Sequence, residues 1–425
     1  MTTTTPAAPI VHETALVRSW KAPIALGVFA LVGIVLAFAF PHAGETTFGL
    51  STGRDVIQLA PLALPTQPTV VVLAIVLAVL AGLSAYFVAS PRGRSPLWLA
   101  IVFAVLFMVL FLTWVATGKT IPVPGLLAGS LALSVPLIFG ALGGVISERS
   151  GVVNIAIEGQ LLFGAFSAAI VGSITQQPLL GLVAAMIGAV LVSFVLAAFS
   201  IKYIVDQVIV GVVLNVLVLG LTSFFYSKVL VPDAATLNSP VKFETLPIPL
   251  LSEIPILGPV LFRQTLIVYL LYIAVFLVWF ALFKTRWGLR ARAVGEHPTA
   301  ADTVGINVTS TRFWNVSLAG AIVGVGGAYY TLDVVGQFGK DMTNGAGFIA
   351  LAAVIFGRWH PIRATLAGLL FGFATNLQSV LGIIGSPVPS DFMLMLPYVV
   401  TIFAVAGLVG VSRAPAADGK PYIKS

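Results

Sequence analysis

The sequence predicts an all-α polytopic membrane protein with about 10–12 transmembrane helices. Three observations predict it. Apolar residues make up 59% of the 425-residue chain and charged residues 9%, against about 45–50% and about 25% in soluble domains. The mean hydropathy is +1.06. Long stretches free of Asp, Glu, Lys and Arg recur along the chain, each near the roughly 20 residues a helix needs to cross a bilayer. A soluble enzyme, a secreted disulfide scaffold and a disordered regulator are thereby excluded. The chain has no cysteine, so thiolate metal sites and Cys nucleophiles are excluded too.

The apolar stretches follow in order. The first, 23–40, lies behind Arg18 and Lys21 and ends in Ala37-Phe38-Ala39, which resembles a signal-peptide cleavage site. Its 18 residues exceed the usual 7–15 of a signal h-region, so the span is expected to be retained. The next two are 68–89 and 96–116, parted by Arg92 and Arg94. The stretches 121–146 and 150–172 are divided only by Ser147-Glu148-Arg149, and 178–200 and 207–228 flank Lys202. A proline-rich segment, 229–263, is expected to cap the outer face before 264–283. After a basic loop, 284–312, come 313–332, then the short glycine-rich 346–357, which reads as a half-helix or re-entrant piece. The last two are 364–384 and 392–411.

Charge orients these spans. If twelve alternate from a cytoplasmic N-terminus, Arg54, Lys119, Lys228, Lys242, Arg263 and Lys340 fall outside and the other sixteen of the 22 Lys and Arg fall inside. That bias places both termini in the cytoplasm. The +7 net charge therefore serves topology, and no nucleic-acid partner is expected. The domain reading is an N-terminal extension, 1–120, with about three spans; a core, 121–411; and a cytoplasmic tail, 412–425.

Several chemistries are missing. Gly-Lys pairs at 118, 339 and 419 do not complete a phosphate-binding loop; before Gly118-Lys119-Thr120, position 113 is threonine where that motif needs glycine. The chain therefore cannot hydrolyse ATP by itself through such a loop. The histidines, at 12, 42, 297 and 360, are too scattered for a metal site, and no cofactor is expected. Gly49-Leu50-Ser51-Thr52-Gly53 spells a nucleophile elbow but lies in a loop between spans, without the strand–turn–helix context.

Two segments draw functional readings. In 147–167, Asn154 and Glu158 are four apart and are expected to share a helix face. A central charge costs about 2.5–3.5 kcal/mol, so Glu158 either lines a translocation path or joins a buried structural network at a helix break near Gly151. Further intramembrane amides, Asn215, Asn315, Asn376 and Gln378, suit a neutral, hydroxylated, ring-bearing solute or act as packing glue. In 284–312, Pro298 opens a short helix, Ala300, Ala301 and Val304 form its apolar stripe, and Gly305 ends it. With Arg286, Arg290 and Arg292 this is a docking surface or a lipid anchor.

The residues from Gly151 to Gly159 (Gly-Val-Val-Asn-Ile-Ala-Ile-Glu-Gly), followed by Gly164-Ala165-Phe166, resemble the signature of nucleoside-type ABC importer permeases, of the ribose/branched-chain amino-acid permease superfamily. Leu289-Arg290-Ala291-Arg292-Ala293-Val294-Gly295-Glu296, then Ala300-Ala301 and Gly305-Ile306-Asn307, is similar to that family's cytoplasmic coupling loop. Gly345 to Gly357, with Pro361 and Gly368, is a third match. The resemblance implies the ABC importer permease fold and a transport subunit without its own ATPase site. Its coupling residues would be Arg290, Arg292, Gly295, Glu296, Pro298, Ala300, Ala301 and Gly305, and Asn154, Glu158, Asn215, Asn376 and Gln378 would line the path. The implied partners are cytoplasmic ATP-binding subunits, a second permease subunit expected to be different, an extracytoplasmic lipid-anchored substrate-binding protein, and membrane lipids. The implied location is the bacterial plasma membrane. Ribose-type sugars, branched-chain amino acids, an ion-gradient carrier and a membrane scaffold are the competing readings.

Overall fold

The computed structural model describes residues 18–90, 93–385, 392, 395 and 413–424. The expected span 392–411 lies outside the described residues apart from Phe392 and Met395. Chain contacts divide the molecule into two units. One comprises Met1–Thr47 and Ala63–Thr120, the other Phe48–Leu62 and Ile121–Ser425.

In the first unit, helices α1 (Lys21–Ala39), α2 (Thr66–Ala89) and α3 (Leu97–Val115) pack around Leu26, Ala30, Val70, Leu77, Phe103 and Leu110. Their remaining faces expose Ile24, Leu31, Ile75 and Val105, as lipid permits. Thr46 is buried, and its hydroxyl donates to the Thr113 carbonyl at 2.7 Å.

The second unit begins with α4 (Val123–Arg149), α5 (Ile157–Thr175), α6 (Pro178–Ala197) and α7 (Gln207–Phe225). Asp206 caps α7 by accepting the Val208 and Ile209 N–H groups at 2.9 and 3.1 Å. A single turn, α8 (Ala234–Leu237), and a short antiparallel pair, Thr245–Pro247 with Arg263–Thr265, build the proline-rich segment. Then follow α9 (Leu266–Lys284), α10 (Arg286–Glu296), α11 (Pro298–Thr303), α12 (Val308–Tyr329), α13 (Ala346–Phe356) and α14 (Pro361–Ile383). Among the described residues nine helices are long and apolar enough to cross a membrane. α12 has the length, at 22 residues, but carries Arg312 and Asn315.

α4 is the central post. Its second half is buried almost without interruption from Ser134 to Glu148, surrounded by α5, α12, α13 and α14. Small residues allow these close approaches. A Cβ at Gly140 would meet Ala350 at 2.7 Å, one at Gly143 the Ala319 carbonyl oxygen at 2.9 Å, and one at Gly372 the Ser134 hydroxyl at 2.0 Å.

Candidate functional site: a broken helix and a basic helical turn

The first site begins where α4 ends. Residues 150–156 are not helical, and α5 starts at Ile157. Asn154 and Glu158 therefore do not share a helix face, contrary to the four-residue spacing. The unwound stretch runs back into the bundle. Ile157 lies against Gly140 and Gly144, about 7–14 Å from the Arg149 end of α4 at 1.5 Å per residue.

Unpaired backbone groups inside a bundle need partners, and long-range side chains supply them. Gln207 Oε1 accepts the Val153 N–H at 2.7 Å. Asn215 Oδ1 accepts the Gly159 N–H and its Nδ2 donates to the Ile155 carbonyl, both at 2.8 Å. Asn154 and Gln160 exchange side-chain bonds at 3.1 and 3.3 Å, and Gln160 Nε2 donates to Ser193 Oγ at 2.9 Å.

Glu158 turns to α13. Its Oε1 accepts from the Thr343 hydroxyl at 2.6 Å and the Gly345 N–H at 2.9 Å; its Oε2 accepts the Gly347 N–H at 2.6 Å. These amides are orphan donors at the α13 N-terminus, where the helix dipole also favours an anion. Gly347 must be glycine-sized, since a Cβ there would lie 2.4 Å from the Glu158 nitrogen. With 11 residues, α13 is about 16 Å long, half of a bilayer core of about 30 Å. The carboxylate thus has a cap function, which fits the structural-network reading of Glu158.

The remaining amides lie apart. Asn376 Nδ2 donates to the Leu126 carbonyl at 2.7 Å and to Ser130 Oγ at 3.3 Å, joining α14 to α4. Gln378, half-buried two residues on, points about 200° around the helix from it. Asn315 Nδ2 donates to the Thr311 carbonyl at 2.6 Å.

The second site is the α10–α11 turn. Thr285 caps α10 through the Gly288 N–H at 3.2 Å, and Pro298 opens α11. Ala301 is buried, whereas Ala300 and Val304 are exposed, so the expected apolar stripe is split between core and surface. Gly305, at φ +86°, ends the turn. Arg290 is exposed. Arg292 lies 5.0 Å over the Phe283 ring. A Cβ on Gly295 would sit 2.1 Å from the Arg149 carbonyl oxygen, so the turn is pressed onto the end of α4. Glu296 pairs with Arg149 at 3.9 Å, and Arg149 Nε donates to the Trp359 carbonyl at 2.9 Å. The α10–α11 turn, the end of α4 and the α13–α14 corner are thereby tied together.

Sequence reasoning missed Gln160, Ser193, Gln207 and Thr343, whose partners are set by the fold. It also missed Glu148, buried and bonded by the Trp359 indole N–H, and Arg312, counted only as a loop charge but 2% exposed.

A half-helix capped inside a many-helix bundle, with a basic helical turn at one end, defines a membrane permease core. The chain belongs to the family described as the branched-chain amino acid transport system permease component, whose model matches residues 126–405. It is an ABC transporter permease subunit, a multi-pass protein of the bacterial plasma membrane. NupQ of Bacillus subtilis, a guanosine ABC transporter permease protein, is 45% identical over 308 residues, 69% of this chain and 95% of that protein. NupC of Lactococcus lactis, a nucleoside ABC transporter permease protein, is 42% identical over 311 residues, covering 71% and 97%. TsgC13 of Haloferax volcanii, whose name proposes a glucose ABC transporter permease protein, is 36% identical over 258 residues, covering 60% and 77%. No solved structure matches the chain.

Proposed function

We propose that this chain is a membrane subunit of an ATP-driven nucleoside importer that works by alternating access. The observation that carries the substrate is the 45% and 42% identity to guanosine and nucleoside permease proteins over nearly their whole length. The buried amides of the interior, Asn154, Asn215 and Asn376 among the described residues, fit a neutral, hydroxylated solute.

In this reading residues 121–411 are the transport core and 1–120 an extension outside it. The α10–α11 turn and both termini face the cytoplasm, where ATP-binding subunits dock. A second, different permease subunit completes the path, and a lipid-anchored binding protein delivers the nucleoside outside. Closure of the ATP-binding subunits pulls on α10–α11. The Arg149–Glu296 pair and the Arg149–Trp359 bond pass that pull to α4 and to the α13–α14 corner. The Glu158 cap couples α13 to the start of α5. Asn154 and Asn215 hold the unwound segment open to the path, and Asn376 and Gln378 lie along α14.

The test is radiolabelled guanosine, uridine and adenosine uptake in a deletion strain and its complemented form, with a proton uncoupler while ATP is maintained. Restored, uncoupler-resistant uptake is expected. Glucose uptake restored in place of nucleoside uptake would move the substrate to sugars; uncoupler-sensitive nucleoside uptake would replace the ATP-driven mechanism with a gradient-driven one.

A further inference from the structure

Residues 413–424 are not a loose end. The Ala417 N–H donates to the Gly295 carbonyl at 2.9 Å. The Ala416 N–H donates to Glu296 Oε2 at 3.1 Å. Arg312, at the start of α12, reaches the same segment. Its Nη1 donates to the Lys420 carbonyl at 2.9 Å and its Nη2 to the Ala417 carbonyl at 3.4 Å. A tight turn supports both acceptors, since the Lys420 N–H donates back to the Ala417 carbonyl at 3.2 Å. Tyr422 packs beside Val294, Ala301 and Val308, one residue from each of α10, α11 and α12. The segment and the α10–α11 turn therefore share one small core and one set of backbone bonds.

Ile423, Lys420 and Tyr422 line one open cleft with Pro298 and Thr299 at the start of α11. Val304 is 75% exposed and Ile423 71% exposed. On the same helices and segment Arg286, Arg290, Lys420 and Lys424 are exposed, against Glu296 as an exposed acid. Exposed apolar side chains accompanied by basic ones fit an acidic protein face with an apolar centre better than they fit water.

We propose that residues 413–424 form part of the surface that receives the ATP-binding subunit, with Ile423 as a contact and Arg312 as the residue that holds the segment in place. This rests on the reading of α10–α11 as the dock. Its content is new to that dock: a piece of chain more than a hundred positions away supplies one edge of it. A motion of the ATP-binding subunit then reaches α12 directly through Arg312, in addition to α4 through Arg149.

The test uses the whole transporter, co-expressed and purified through the permease, with ATP-binding subunit retained per permease as the readout. Ile423→Asp places a charge on an exposed side chain, so the permease itself should accumulate normally. Burying that unpaired charge in the contact should cut retention about tenfold or more. Val304→Asp is the companion, at the C-terminal cap of α11. Loss of retention in both variants supports the proposal. Loss in Val304→Asp with full retention in Ile423→Asp overturns it and leaves the α11 dock standing. Full retention in both removes the dock and the proposal together. Loss in Ile423→Asp alone keeps the segment as a contact and removes α11 from it.

Discussion

The two units solve the same problem in lipid with different means. In α1, α2 and α3 the most apolar stretches are 28%, 22% and 39% buried, whereas in α4 and α5 they are 67% and 72% buried. The first unit is three unbroken helices with apolar faces turned outward. The second buries α4 and α5 among other helices, although the spans containing α7, α9 and α14 stay at 33%, 28% and 39%; it leaves an unwound stretch between α4 and α5 and stops α13 halfway. Side chains such as Glu158, Gln207 and Asn215 then satisfy the backbone that those breaks expose. A helix that only spans needs nothing beyond its own hydrogen bonds. Irregular backbone at depth needs a bundle around it, and the second unit has that bundle.

Matched glycine substitutions test this contrast most sharply. Gly327 on α12 faces α5, and a Cβ there would lie 2.3 Å from the Leu161 carbonyl oxygen and 2.9 Å from the Ala165 nitrogen. Gly327→Val must push two backbones apart. Overpacking of this kind costs about 1–3 kcal/mol or more, so the level of permease in membranes should fall several-fold, read by quantitative blotting. An unchanged level would mean that the α5–α12 contact is not tight.

Glu158→Ala comes next. It removes the acceptors of the Gly345 and Gly347 amides and of the Thr343 hydroxyl. Each buried donor left without a partner costs about 1–3 kcal/mol. Nucleoside uptake should fall about tenfold or more, since each 1.4 kcal/mol is a factor of ten, while retention of the ATP-binding subunit stays at the wild-type level. Glu158→Gln should rescue only in part, because its NH₂ would face an N–H donor. Normal uptake at normal protein level in Glu158→Ala would remove the cap from the mechanism.

Much of the second unit was legible from charge and hydropathy, including the short helix at 346–357 and a break near Gly151, but the partners that hold the break were not. The positions of the spans follow from apolar length, which lipid enforces locally. The stretch 150–156 reads as the start of the apolar span 150–172, with Gly151 the one sign of a break. It is unwound because Gln207 and Asn215, 54 and 60 residues away, bond its backbone, and no local signal encodes them. Glu158 was visible as an expensive charge, while its partners were not, since two of them are backbone amides of glycines. Arg312 shows the same limit. Its acceptors are carbonyls 105 and 108 residues off, and a carbonyl carries no mark of residue type.

Asp418 makes a smaller, pH-dependent prediction. Burial pushes its carboxyl above its ordinary value of 3.8, against the opposing pull of the Gly419 amide and the Arg312 guanidinium. Glu148, on α4, is the acid that faces it. A carboxyl whose folded pKa is raised contributes stability below its unfolded pKa and loses it as pH rises through the folded one. Attachment of residues 413–424 should therefore be firmest near pH 4 and weaken toward neutrality. Asp418→Asn should flatten that dependence and slow exchange of the Ala417 and Lys420 amides at pH 7, measured by hydrogen exchange corrected for intrinsic rates. An unchanged profile in the variant would assign the dependence to Glu148.

The smallest expected effect returns to the first unit. Gly27 on α1 is exposed, and a Cβ placed there meets nothing within 4 Å. Gly27→Ala asks only for helix propensity, worth at most about 1 kcal/mol in favour of alanine. Permease level and uptake should match the wild type, with a melting temperature equal or slightly higher. If this substitution lowered uptake at an unchanged protein level, the exposed face of α1 would be a contact for another subunit. The first unit would then take part in assembly, and the contrast with the second would be one of role as well as of packing.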